Sequence, residues 1–582
     1  MERWICDTEP SGRFTLYTRS NVGEVFPDPV LPFTRSLALF DGAELGWRDA
    51  WVRMGAFDLD EFRDEEMDVI GVSGGYCYLN ASIIRLFGER APGLSAQAMD
   101  EQFFGAQPGI PPYSEQVGDV RPDLSEKIGG WLVGIMTATD EPSLKADAEA
   151  TRRLRAERPD FSTMTDRELV DHTKALYGAH FRHLFSQHIH TTYAATVPVG
   201  VLQQLTAAVG RPDLFFPLIS GLGDVDSAAP SQAMWDLSRV VRNSAAATAA
   251  FDLGLAGLYE RLERSSDTSP DCEAVLQQFH EVMYEYGSRG PNEWDTAMPT
   301  WETHPELALA AIDRMRFAAD EQNPSASNGI RVAEREAAAD TMRTLLAGDD
   351  EALQNLELAL RSSVVYLPGR ERSKTNAIRF VQETRLPMRE FGRRMKEQGY
   401  FEAVEDFSLL FASEYDDFMA NPAAFSDVIA QRKAHWRQLS EHDPQFVFDG
   451  LPDFPAAWTP RAGVIYEKLA VGESIQGMPG CTGVAEGRAR VIMSSADPTA
   501  LEVGDILVAP ATDPSWTPLF VAAGGVVVDV GAPLSHAIIV SRELGIPCVT
   551  SATGATKRIP EGALLRVDGN TGTVTILELA NV

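Results

Sequence analysis

Residues 524–547 read Gly-Gly-Val-Val-Val-Asp-Val-Gly-Ala-Pro-Leu-Ser-His-Ala-Ile-Ile-Val-Ser-Arg-Glu-Leu-Gly-Ile-Pro. A buried strand is expected to run into a Gly/Pro turn, after which Ser535 is placed to cap a helix with His536 in its first turn. A histidine there is expected at an exposed strand end, open to an approaching electrophile. Imidazole titrates near neutrality, so its neutral form is a competent nucleophile at physiological pH. The start of the helix also suits a phosphoryl group, because its free N–H groups point outward. The plainer reading of a single histidine is a residue packed into a turn.

Two further sets of residues bear on charge. Arg370 and Lys374 are four apart, so on a helix they project from one face. Two cations there would neutralise a transferring phosphoryl group, a reaction that needs charge stabilisation more than covalent help; the alternative is a solvated basic helix end. Arg289 and Glu293 flank Pro291 and Asn292 in a turn-forming loop. They are candidates for binding substrate, and equally for a structural ion pair. His180, His183, His188 and His190 lie close together. They show no H-x-x-x-H spacing, and no cysteine or compact carboxylate set completes a site, so histidines on mixed helix faces are expected and no metal site. The chain has no G-x-x-x-x-G-K-[ST] loop for nucleotide phosphates.

The elements that must position these residues follow from composition and period. A chain of 582 residues corresponds to about three or four folding units. Residues 1–90 read as mixed structure, with strand-like stretches at 13–18 and 75–80 beside Pro27, Pro29 and Pro32. Residues 90–145 are rich in Pro and Gly without a sustained period. From about 146 to 439 apolar residues recur at three and four, and helices are expected, among them 307–315, 337–346 and 377–386. Residues 452–460 are Pro-rich. Beyond 477, short apolar runs at 487–493, 505–509, 525–530, 547–550, 564–567 and 573–577, with a helix at 537–544, predict a compact α/β domain of about one hundred residues.

The five cysteines form no C-x-x-C pair, which excludes a zinc ribbon or disulfide scaffold and fits a reducing compartment. There are 51 Lys and Arg against 84 Asp and Glu, a net charge of −33. Such a surface repels nucleic acid and anionic lipid. No apolar run of membrane-spanning length and no signal-peptide core is present, so a cytoplasmic protein is expected, with neither a nucleic-acid nor a membrane partner.

The glycine pair, Ser535-His536, the 541–547 Ser-Arg-Glu-Leu-Gly-Ile-Pro and the 567–574 Val-Asp-Gly-Asn-Thr-Gly-Thr-Val resemble the swivelling phosphohistidine domain of the phosphoenolpyruvate-utilising enzymes. The 477–491 segment is similar to the start of that domain. Thr512-Asp-Pro-Ser-Trp-Thr-Pro-Leu-Phe is most similar to the rifampicin-phosphotransferase branch. Upstream, 17–27, 287–295 with Pro299-Thr-Trp, and Gly369-Arg-Glu-Arg-Ser-Lys at the head of a helix resemble that branch's helical substrate domain. Where the family often has a histidine, this chain has Ser288.

The resemblance implies an α+β multidomain protein. A mainly helical acceptor-binding domain with a mixed N-terminal part (1–450) would be followed by a linker (451–476) and a swivelling phosphohistidine domain (477–582). It implies that His536 is phosphorylated and carries the group between two sites, with Arg370 and Lys374 stabilising the transferring charge. No ATP-grasp module is recognised before Tyr17 and no barrel after the histidine domain, so ATP and Mg²⁺ are expected on a separate ATP-grasp subunit. The reaction implied is ATP, acceptor and water giving AMP, phosphate and phosphorylated acceptor, as in two-subunit phenylphosphate synthases. A phenol or alkylphenol such as 4-cresol is the first acceptor expected, and an antibiotic or other alcohol the second. A non-catalytic binding or regulatory module is the reading from a different class.

Overall fold

The computed structural model describes residues 3–104, 109–222, 229–326, 328–452, 458–461, 466–495, 501–531 and 535–580. Near the N-terminus three strands form where aromatic and β-branched residues cluster: β1 (Leu16–Thr18), β2 (Ile70–Ser73) and β3 (Tyr76–Asn80). They join β5 (Val447–Asp449) in an antiparallel sheet ordered β2-β3-β1-β5. The end of the helical region is thereby tied to the start of the chain. Stacking of Tyr17 on Phe448, with ring centroids 5.2 Å apart, reinforces that pairing. Beside it, β4 (His442–Asp443) pairs with β6 (Thr459–Pro460).

Helices fill the region between. The longest, Asp350–Glu397, packs along the helix Arg182–Ala208 and against Pro142–Ala156. Gly369 is one point of close approach: a Cβ there would lie 2.9 Å from Leu144 Cδ1. A second apolar cluster gathers the helices Ala229–Asn243, Pro270–Tyr286 and Pro305–Met315 around Trp235, Phe279 and Trp301. Val521, from the C-terminal region, is buried in the same cluster, so the two parts of the chain share a core. Among the described residues no helix is long and apolar enough to cross a membrane.

The C-terminal region is built on one mixed sheet of β7 (Ser474–Gln476), β8 (Met478–Cys481), β9 (Val484–Val491), β10 (Ile506–Ala509), β11 (Gly525–Val528), β12 (Cys548–Thr550), β13 (Leu564–Asp568) and β14 (Thr573–Glu578). Its order is β7-β14-β13-β9-β10-β11-β12-β8. The central four, β9 to β12, are parallel; the flanking strands are antiparallel. The helices Thr517–Ala522 and His536–Leu544 make the crossovers. Every residue of β10 and β11 is buried, as central parallel strands require when apolar groups cover both faces.

Four sequence expectations need correction. Residues 90–145 contain the helices Ala96–Phe104 and Pro122–Thr137, and a third begins at Pro142. Pro122 and Pro142 lie in the first helical turn, where a missing N–H costs nothing, so these prolines start helices. Arg370 and Lys374 stand in the middle of the helix Asp350–Glu397, just beyond Pro368, and not at its head. Burial of that helix outweighs the roughly 3 kcal/mol that an interior proline costs. The stretch expected as linker, 451–476, ends inside the sheet, because β7 pairs with β14 and Leu469 N–H donates to the Arg558 carbonyl. Finally, Ser535 occupies the N-cap position with extended backbone, but its hydroxyl makes no capping bond. Residues 453–457 and 462–465 of the Pro-rich stretch, and 532–534 of the Gly/Pro turn, lie outside the described residues.

Candidate active site

Thr512, His536 and Ser551 follow the carboxyl ends of the neighbouring parallel strands β10, β11 and β12. Ligands of open α/β sheets bind at that edge, because the loops there converge around helix starts. The sequence predicts an exposed His536; the structure buries it to 8 % exposure. The Phe520 ring meets its edge with centroids 5.8 Å apart. Threonine hydroxyls flank both ring nitrogens, Thr512 Oγ1 at 3.1 Å from Nδ1 and Thr517 Oγ1 at 3.1 Å from Nε2. A hydroxyl both donates and accepts, so the pair fixes the plane of a neutral imidazole.

Charge reaches His536 from the helical region. Burial chiefly, then Lys374, Arg289 and Arg370, hold its pKa well below the usual value. Three cations and a dry setting disfavour imidazolium, so the ring keeps a lone pair at neutral pH. The same cations would be complementary to a phosphoryl group on that ring.

Each cation is anchored by a carboxylate, Arg289 and Lys374 sharing Glu293. Arg289 pairs with Glu293 at 3.0 Å and donates to Thr375 Oγ1 at 2.6 Å, all buried. The 289–293 pair is thus a buried ion pair, and Arg289 helps to depress the His536 pKa. Lys374 lies 3.6 Å from the Glu293 carboxylate, and Arg370 lies 2.7 Å from Glu371. Asn292, at the centre of this loop, adopts a left-handed φ of 52°, which asparagine tolerates better than most residues.

The structure adds residues to which the sequence reading gave no role. Asp513 is half-buried and accepts from Ser515 N–H at 2.8 Å; desolvation, followed by Glu293, pushes its pKa up to about 6. Thr512, Asp513 and Thr517 all belong to the 512–520 segment whose resemblance was noted, and that was the available signal. His188, one of the four clustered histidines, accepts or donates at Nδ1 with Ser373 Oγ at 3.0 Å. Burial first, then Arg370 and Lys374, bring its pKa down to about 3. The others disperse: His183 bonds Asp147, and His190 accepts from Trp131. Among the described residues no group of three or more His, Cys, Asp or Glu is arranged to hold a metal ion.

Beside His536 a cleft of about 690 Å³, partly open to solvent, is lined by Glu24, Phe104, Tyr193, Arg370, Gly531 and Ser535 among others. Its walls come from the N-terminal turn, the long helices and the C-terminal sheet, so closure of the two regions creates it. Asn21 also lines a second, apolar cavity of about 590 Å³ with Phe26, Trp47, Phe185 and Trp294.

Comparison with known proteins gives the same two regions. Residues 187–371 match the family described as the rifampicin phosphotransferase fourth domain, and residues 501–572 the PEP-utilising enzyme mobile domain. An uncharacterized protein of Mycobacterium tuberculosis is 33 % identical over 323 residues, covering 55 % of this chain and 33 % of its own. A rifampicin phosphotransferase of Streptomyces sviceus is 31 % identical over 297 residues, 50 % of this chain and 33 % of that protein. The prodigiosin synthesizing transferase PigC of Serratia marcescens is 31 % identical over 320 residues, 53 % and 34 % respectively. The chain thus spans about a third of the length of these relatives.

Proposed function

We propose that this chain, which falls in the rifampicin-phosphotransferase-like branch of the PEP-utilising enzymes, receives a phosphoryl group on His536 and passes it to an acceptor hydroxyl. The observation that carries this reading is a buried His536 held between two threonines, with Lys374, Arg289 and Arg370 from the other region depressing its pKa. In the loading step the imidazole lone pair attacks the donor phosphorus, and the donor oxygen leaves. In the delivery step the acceptor oxygen attacks the phosphohistidine, and the electron pair returns to the ring. The three cations offset the charge of the group in flight, and the closed seam keeps water from competing.

The donor in this reading is ATP with Mg²⁺, held by an ATP-grasp partner, as the family resemblance implies. The acceptor is an apolar compound bearing a hydroxyl. A phenol such as 4-cresol fits the aromatic lining of the cleft. An antibiotic-like alcohol is the second reading, supported by the 31 % identity to the Streptomyces sviceus protein. The C-terminal region would swing on the stretch that precedes Leu469 between the donor and acceptor positions.

The test mixes this chain with a candidate ATP-grasp partner, Mg²⁺ and ATP labelled at the β-phosphate, and compares wild type with His536→Ala. Acid-labile label on wild type alone is the expected result. Absence of label with a partner that binds ATP would remove the carrier reading and leave a binding module in its place.

A further inference from the structure

Taking the His536 reading as its premise, we infer that Glu24 is the catalytic base of the acceptor half-reaction, its carboxylate receiving the proton of a hydroxyl seated in the cleft that Glu24 shares with Arg370 and Ser535. The cleft wall brings these three side chains together from three distant parts of the chain. Glu24 is screened from bulk water yet open to this cleft.

The neighbouring acids are engaged. Glu293 pairs with Arg289 and Lys374, Glu371 with Arg370, and Asp513 with Ser515. Among the described residues Glu24 forms no ion pair or hydrogen bond that would compete for a substrate proton. Burial raises its pKa to about 7, opposed by Lys374 and Arg370 and assisted by Asp513. A base poised near neutrality transfers protons most effectively at neutral pH.

Two independent features mark the cleft as built for a ligand. Thr192 Oγ1, Tyr193 Oη and Ser535 Oγ, on residues that all line it, are buried and have no hydrogen-bond partner among the described residues. Buried hydroxyls are ordinarily satisfied, and three orphans in one wall call for a polar ligand. The turn presenting Glu24 is also strained. Asn21 has φ 65° and ψ −59°, and Val22 N–H donates to the Ser20 carbonyl at 2.8 Å. This is a tight three-residue turn of a rare, strained kind. It sets Asn21 between the polar cleft and the apolar cavity, so the acceptor class expected is an aromatic or polycyclic hydroxyl compound. In the transfer, the acceptor oxygen forms a bond to phosphorus as the N–P bond breaks. The nitrogen regains its electron pair, and the acceptor proton moves to Glu24.

The experiment loads the full chain chemically with phosphoramidate, which phosphorylates imidazoles without any partner protein, and then adds 4-cresol or a panel of hydroxylated polycyclic compounds. Wild type should discharge to an acceptor at a rate that rises with pH through about 7 and then levels. Glu24→Gln should carry acid-labile label at His536 but discharge about a hundredfold or more slowly, with the pH rise abolished. Glu24→Asp should keep the pH rise at an intermediate rate. Discharge from Glu24→Gln at the wild-type rate and pH profile would overturn the inference while leaving the carrier reading intact. Failure of wild type to load at His536, or to discharge to any compound of the panel, would overturn the carrier reading and this inference with it.

Discussion

At the scale of residues, the site rests on the protonation state of one imidazole. Burial and three cations depress the His536 pKa, so the neutral nucleophile should persist across the physiological range. Chemical loading is therefore expected to be level from about pH 6 to about pH 8, with its decline at still lower pH. Lys374→Met removes the largest of the three charge effects. It should move that decline toward neutral pH, read by NMR titration of His536, and slow delivery roughly 10²–10³-fold. An unshifted titration would mean that Lys374 does not face the ring in solution. Thr517→Val tests the hold on Nε2. A hydrogen bond worth about 0.5–1.5 kcal/mol predicts loading slower by roughly two- to tenfold with little change in melting temperature.

The elements explain why these side chains meet. His536 starts the helix that follows β11, and Gly531, between them, is closely packed. A Cβ on Gly531 would lie 2.9 Å from Thr550 Cβ and 3.1 Å from Ser535 Oγ. Neither the strand end of β12 nor the helix start can yield cheaply. Gly531→Ala is therefore expected to cost about 1–3 kcal/mol by overpacking and to displace His536 from its threonines. Chemical denaturation would show the first effect and a loss of phosphoramidate labelling the second. Full labelling would show that the turn adapts without moving the ring. The long helix poses the complementary case. The sequence places Gly369 at the head of a helix, yet the helix runs through it, and its missing Cβ lets Leu144 approach one residue before Arg370.

For the whole molecule, the cleft exists only while the two regions are closed on each other. Lys557, on the C-terminal side, lies 2.5 Å from Asp443 of β4 and bridges the seam. All five native cysteines are buried, so Lys557→Cys with Asp443→Cys can be joined selectively by a bis-maleimide. If the C-terminal region travels between donor and acceptor, the joined protein should discharge a preloaded phosphoryl group once and then fail to turn over with ATP and a partner. Undiminished repeated turnover would show that no such travel is needed.

What the sequence determined by itself was local. Apolar runs broken by glycine marked the strands β9 to β14, and the spacing of Ser535, His536 and the following apolar residues marked the helix at its carboxyl edge, because strand and helix periods are properties of neighbours along the chain. The four-residue spacing of Arg370 and Lys374 likewise put them on one helix face. Only the tertiary structure decided that this face meets His536, that His188 and Asp513 stand beside it, and that the imidazole is buried and not exposed. Those facts depend on contacts between residues more than one hundred and fifty positions apart for Lys374 and His536, and their energetics come from desolvation and from the field of charges gathered across a seam. Glu24 shows the limit most clearly. In sequence it lies in the 17–27 stretch whose resemblance was noted, with no role attached to it, and its place in a cleft with Arg370 and Ser535 arises only when the chain's beginning folds against its middle and its end.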